Sequence, residues 1–93
     1  MTTHIVVSLR VSNPDSLAKY REKATDALAV HGGSVVQASA DLKTLEGSPV
    51  LPDAIAIVQF PDRSAAEAWI NDPTLADVHA LRRGAGGSDI ILL

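Results

Sequence analysis

The chain has 93 residues, enough for one hydrophobic core and no second domain. Its net charge of −3 and its scarcity of aromatic residues (only Tyr20, Phe60 and Trp69) exclude the basic stripe and stacking rings of a nucleic-acid surface. It has no cysteine for a disulfide or thiolate metal site, and no apolar run approaches the length of a membrane span.

Hydrophobic residues make up 46% of the sequence but few are aromatic, so the core must be built mostly from Val, Ile, Leu and Ala. A chain this short buries only about 60–65% of the surface it exposes when unfolded, which leaves stability modest unless something covers more of it.

Thr3 to Val11 alternate as a strand, with Ile5, Val7, Leu9 and Val11 on one face and His4, Val6, Ser8 and Arg10 on the other. The apolar run Ile5 to Val7 is too short for a secretory signal, and a cytoplasmic domain is the expectation. Asn13-Pro14-Asp15 then opens a helix, with Asn13 as cap and Pro14 at the first helical position. Its stripe is Leu17, Tyr20, Ala24, Ala27, Leu28 and His31, and Gly32-Gly33 ends it.

A second alternating strand is expected from about Ser34 to Leu42, placing Val36, Ala38, Ala40 and Leu42 opposite in face to Val35, Gln37, Ser39 and Asp41. Pro49 and Pro52 make Gly47 to Asp53 a loop. Ala54 to Phe60 is the most apolar strand and so belongs in the middle of the sheet. A helix capped by Asp62 or Ser64 carries Trp69, Pro73 breaks it, and a further helical segment runs to about Arg83. Gly84, Gly86 and Gly87 read as an exit loop before a closing strand, Ile90 to Leu93.

The order βαββαβ predicts a ferredoxin-like α+β fold over residues 1–93, an antiparallel sheet with its helices on one face. Val6, Ile55, Ile57 and one side of the last strand then put aliphatics on the helix-free face. Apolar surface of that extent marks an interface, and the expected partner is a second copy of the chain.

Val11-Ser-Asn-Pro14, Tyr20-Arg21, Gly32-Gly33, Leu45-Glu46-Gly47, Phe60-Pro61, Ala65-Ala66 with Ala68-Trp69, Asp72-Pro73 and Leu81-Arg82 occur in a fixed order at fixed intervals. In these markers the chain resembles the domain of unknown function 1330 family of the dimeric α+β barrel superfamily. The resemblance implies a homodimer whose two sheets face each other. Superfamily relatives include cofactor-independent monooxygenases, lactone isomerases and haem enzymes, so it implies no single activity. The chain departs from the family pattern at Ala38-Ser39-Ala40, where members often carry an Arg-Gly-Gly-like segment. It also departs at Ser48-Pro49, near Asp53-Ala54 and at Trp69-Ile70.

Helical phase places Tyr20 inward with Arg21 at its margin, and turns Leu75, Val78, His79 and Arg82 toward the sheet. Tyr20, Arg21, Trp69, His79 and Arg82 are therefore the expected wall of any pocket between helices and sheet. Its cationic rim and apolar floor suit a small carboxylate or enol with a hydrophobic body. His79 is the one candidate acid–base group. Core packing, or for the arginines a stem laid on the core with its head in water, is the commoner role of such residues. The histidines lack metal-ligand spacing, and neither metal nor cofactor is expected. Three readings follow: a ligand-binding dimer, a cofactor-independent monooxygenase- or isomerase-like enzyme, and a structural or regulatory dimer without ligand.

Overall fold

In the computed structural model, which describes residues 2–93, the alternating N-terminal segment is strand β1, Thr3–Val11. Ile5, Val7 and Leu9 are buried and Arg10 is exposed, so the period of the sequence is the period of burial. Helix α1, Pro14–Ala29, starts where the Asn13 side chain accepts a hydrogen bond from the Ser16 N–H. It ends before His31: the Gly33 N–H returns to the Leu28 carbonyl at 2.8 Å, and Gly32 turns the chain at a φ of 74°.

Strand β2 spans Ser34–Ser39, shorter than the expected run to Leu42. Its phase also differs from simple alternation. Val35 lies opposite Val58 and Gln37 opposite Ile57, which leaves Val36 as a bulge. The extra residue puts Val35 and Ala38 on the helix side and Gln37 and Ser39 on the other. Strand β3 is Ala54–Phe60, as expected.

Asp62, of the two possible caps, starts helix α2, Arg63–Asn71, by accepting from the Ala65 N–H at 2.8 Å. A 3₁₀ turn, Pro73–Leu75, leads into helix α3, Ala76–Gly84. Strand β4, Gly86–Leu92, begins well before Ile90, because the glycines read as a loop are part of the ladder. Gly86 and Gly87 pair with Val11 and Arg10, and a Cβ on Gly86 would run into the Arg10 carbonyl oxygen.

The sheet is antiparallel with strand order β2-β3-β1-β4, so β3 is central and the fold is ferredoxin-like. The core lies between sheet and helices, built on Ile5, Val7, Leu28, Val58, Phe60 and Trp69. Across the helix-free face Val6 sits in register between Ile57 and Ile91, forming an aliphatic row over three strands. Ile91 is 61% exposed, and Leu45 and Val50 in the β2–β3 connection are 92% and 81% exposed. That connection is pinned at its end by Asp53, whose N–H donates to the Leu9 carbonyl and whose carboxylate accepts from the Val11 N–H. No helix is long and apolar enough to cross a membrane among the described residues.

Candidate functional site

Four small side chains meet where α1 passes over β2 and β3. Ala24 comes from the helix, Ala38 from β2, and Ala54 and Ala56 from β3. The ladder aligns Ala56 with both Val7 and Ala38, so the missing side-chain volume falls in one place. The result is a cavity of about 330 Å³ between α1 and the sheet. Val7, Leu9 and Val58 form its floor, and Tyr20, Leu17 and Trp69 its inner wall. Arg21 and Thr25 stand exposed at its mouth, which the end of β2 and Ala40 also border. An apolar cavity of about 150 Å³ accommodates benzene. This one has room for a bicyclic organic body.

Tyr20, Arg21 and Trp69, three of the residues expected at the wall, line the cavity. His79 and Arg82 are brought together but sit one layer deeper, at 2% and 1% exposure, in contact with the aromatic wall. The Arg82 guanidinium carbon is 5.2 Å from the centre of the Trp69 ring and 5.6 Å from that of Tyr20. Its Nη1 donates to His79 Nδ1 at 2.7 Å, and its Nε donates to Ser88 Oγ at 3.1 Å. Arg82 has no carboxylate partner among the described residues, where the close contact between a basic and an acidic side chain joins His31 to Asp72.

Because Arg82 can only donate, His79 Nδ1 must accept, and the proton lies on Nε2. That nitrogen donates to the Trp69 carbonyl at 2.9 Å. Burial above all, and then the Arg82 charge, holds the His79 pKa below its usual value of 6.5. The imidazole is neutral with both nitrogens engaged. Trp69 is held by the edge of His79, with ring centres 4.7 Å apart, and by a tilted Phe60 at 5.7 Å. Its indole Nε1 is the one buried side-chain polar atom among the described residues that has no hydrogen-bond partner.

Two features of this site escaped the sequence reading. The alanines are unremarkable singly, and only strand register and the β2 bulge gather them. Ser88 lay in a segment read as the approach to a strand, whereas the early start of β4 aims it at Arg82. No group of three or more His, Cys, Asp or Glu residues that could hold a metal ion occurs among the described residues.

The profile of the family described as "Domain of unknown function (DUF1330)" matches residues 2–93. No curated protein matches the chain. Among solved structures, a protein of unknown function from Rhodopseudomonas palustris is similar at 23% identity and a TM-score of 0.76, over 99% of this chain and 80% of that one. A dimeric ferredoxin-like protein of unknown function from Jannaschia sp. CCS1 is similar at 15% identity and a TM-score of 0.66, over 100% and 98%. SnoaB, a cofactor-independent oxygenase from Streptomyces nogalater, is similar at 13% identity and a TM-score of 0.63, over 99% and 88%. At these identities the likeness is one of fold.

Proposed function

The chain belongs to the DUF1330 family, and we propose that it is a homodimeric small-molecule-binding protein whose ligand occupies the cavity under α1. The ligand pairs an apolar body of about two rings with an anionic or enolic oxygen. The observation that carries this reading is an apolar cavity of about 330 Å³ whose aromatic wall lies over a buried guanidinium that has no counter-ion among the described residues. Such a charge makes the cavity electrically attractive to a partly negative oxygen at a place where water screens it little. The second copy of the chain joins through the helix-free face, where the Ile57–Val6–Ile91 row is otherwise left in water.

Binding is favoured over catalysis by the state of His79. A cofactor-independent oxygenase of the kind SnoaB is described as would call for a base near its substrate. Here the one inward histidine accepts from Arg82 and donates to Trp69, leaving no free lone pair for a substrate proton.

Thermal unfolding in the presence of 2-naphthol, 2-naphthoate and decane-1-sulfonate tests the reading. A ligand at about 100 times its dissociation constant stabilises the folded state by about 2.7 kcal/mol. At least one bicyclic probe is expected to raise the midpoint and to change the emission of the sole tryptophan. Unchanged midpoints with all three at millimolar concentration would remove the cavity as a binding site.

A further inference from the structure

Arg21 is the single charged residue that lines the cavity, and it stands at the mouth, exposed to water. An arginine on a helix surface is ordinarily a solvated group with an acidic neighbour three or four positions away. Helix α1 gives Arg21 no such neighbour. Leu17 and Ala18 precede it at those spacings, and Ala24 and Thr25 follow it. The lysines of the same helix are placed otherwise, since Glu22 lies three positions after Lys19 and Asp26 three after Lys23. No acidic residue lines the cavity, and among the described residues no carboxylate lies within ion-pair distance of Arg21. Arg82 is not its equivalent: buried one layer deeper, it acts on the cavity through the rings of Trp69 and Tyr20. Among the described residues Arg21 is thus the one guanidinium that can touch a molecule occupying the cavity.

We propose that Arg21 is a specificity-determining residue, closing its planar fork on the carboxylate of an aryl or alkyl monocarboxylate whose apolar body lies inside the cavity. This rests on the cavity being a binding site and narrows the class of ligand. A full negative charge is costly to bury against hydrocarbon, so an anionic ligand keeps it at the mouth, where water still reaches, and sends its body inward. At that boundary the guanidinium fork matches the two oxygens of a carboxylate. An enol or a ketone brings one oxygen and leaves half of the fork unused. The ligand therefore lies with its head outward at Arg21 and its body toward the aromatic wall.

The test uses a matched pair, 2-naphthoate and 2-naphthamide, alike in shape and differing by the charge. Affinities are measured by calorimetry at neutral pH for the wild type and for Arg21→Gln, a change at an exposed position to another good helix former. The ratio of acid to amide affinity is expected to fall about fivefold in Arg21→Gln, the upper range for a water-exposed ion pair, while the affinity for the amide stays as it was. Raising the salt concentration should lower the ratio in the wild type and leave it nearly constant in the variant. An unchanged ratio in Arg21→Gln would overturn the proposal and leave the cavity reading intact, because the charge would then be read elsewhere. Binding of the amide alone to the wild type would overturn it as well. Binding of neither compound would end both.

Discussion

Arg82 holds a full positive charge at 1% exposure with no carboxylate partner among the described residues, an arrangement that folding alone does not favour. Taking such an ion out of water carries an effective penalty of several kcal/mol. Two aromatic faces return about 2 kcal/mol or more each when desolvated, and the bonds to Ser88 and His79 add to that. The charge also acts on its neighbour, since His79 is kept neutral first by burial and then by Arg82. Arg82→Met removes the charge and frees Nδ1, so His79 should titrate at a higher pH than in the wild type. Following the imidazole C–H signals against pH checks this, and an unmoved midpoint would mean that burial acts alone. The sign of the stability effect in the wild type follows from the depressed pKa. The unfolded chain takes up the proton first, so the contribution is complete above pH 6.5 and is lost as pH falls through the folded-state value.

Among the elements, the junction of α2 and α3 carries an acid-sensitive tie. Asp72 caps the 3₁₀ turn by accepting from the Thr74 N–H at 2.8 Å and its hydroxyl at 2.7 Å, and it meets His31 after α1 at 2.8 Å. The Thr74 hydroxyl and then His31 bring its pKa down from 3.8 to about 2, with the Thr74 N–H contributing next. A carboxylate depressed on folding stabilises above its unfolded value and ceases to do so below its folded one. Stability should therefore fall between about pH 4 and pH 2, and Asp72→Asn should flatten that stretch of a chemical-denaturation profile. Elements of this kind were legible in the sequence where one local signal decides them. Asn13-Pro14 fixes the start of α1, and the alternation of β1 survives intact into its burial. The β2 bulge and the early start of β4 were not, because both are set by the neighbouring strand: Val58 and Ile57 take Val35 and Gln37, and Arg10 admits only glycine at Gly86. The site divides the same way. Helical phase placed Tyr20 inward, but the cavity itself depends on alanines from three elements that register alone brings together. Filling it should separate binding from folding. Ala56→Leu is expected to abolish probe binding while holding or raising the unfolding midpoint, and a midpoint several degrees lower would show the space to be too tight to fill.

At the scale of the whole molecule, the sheet divides two tasks. Its helix side holds the cavity, and its other side carries the Ile57–Val6–Ile91 row. Leu45 and Val50, in the connection whose end Asp53 fixes to β1, are exposed as well. A chain this short has little surplus stability to spend on leaving such surface in water, and covering it with an identical face yields a closed two-fold assembly. Light scattering at micromolar concentration should accordingly report twice the chain mass. Ile57→Asp would place a carboxylate at the centre of the joined faces, where burying it unpaired costs several kcal/mol, and should shift the protein to monomer. The variant's side chain points away from α1, since Ile57 alternates with Ala56 and Val58 along β3. The cavity is built within one chain, so the monomer should still bind the bicyclic probe, with a lower unfolding midpoint but a dissociation constant within a few-fold of the wild type. A variant that remains dimeric would show that the copies meet elsewhere. A folded monomer that no longer binds would show instead that the partner completes the site.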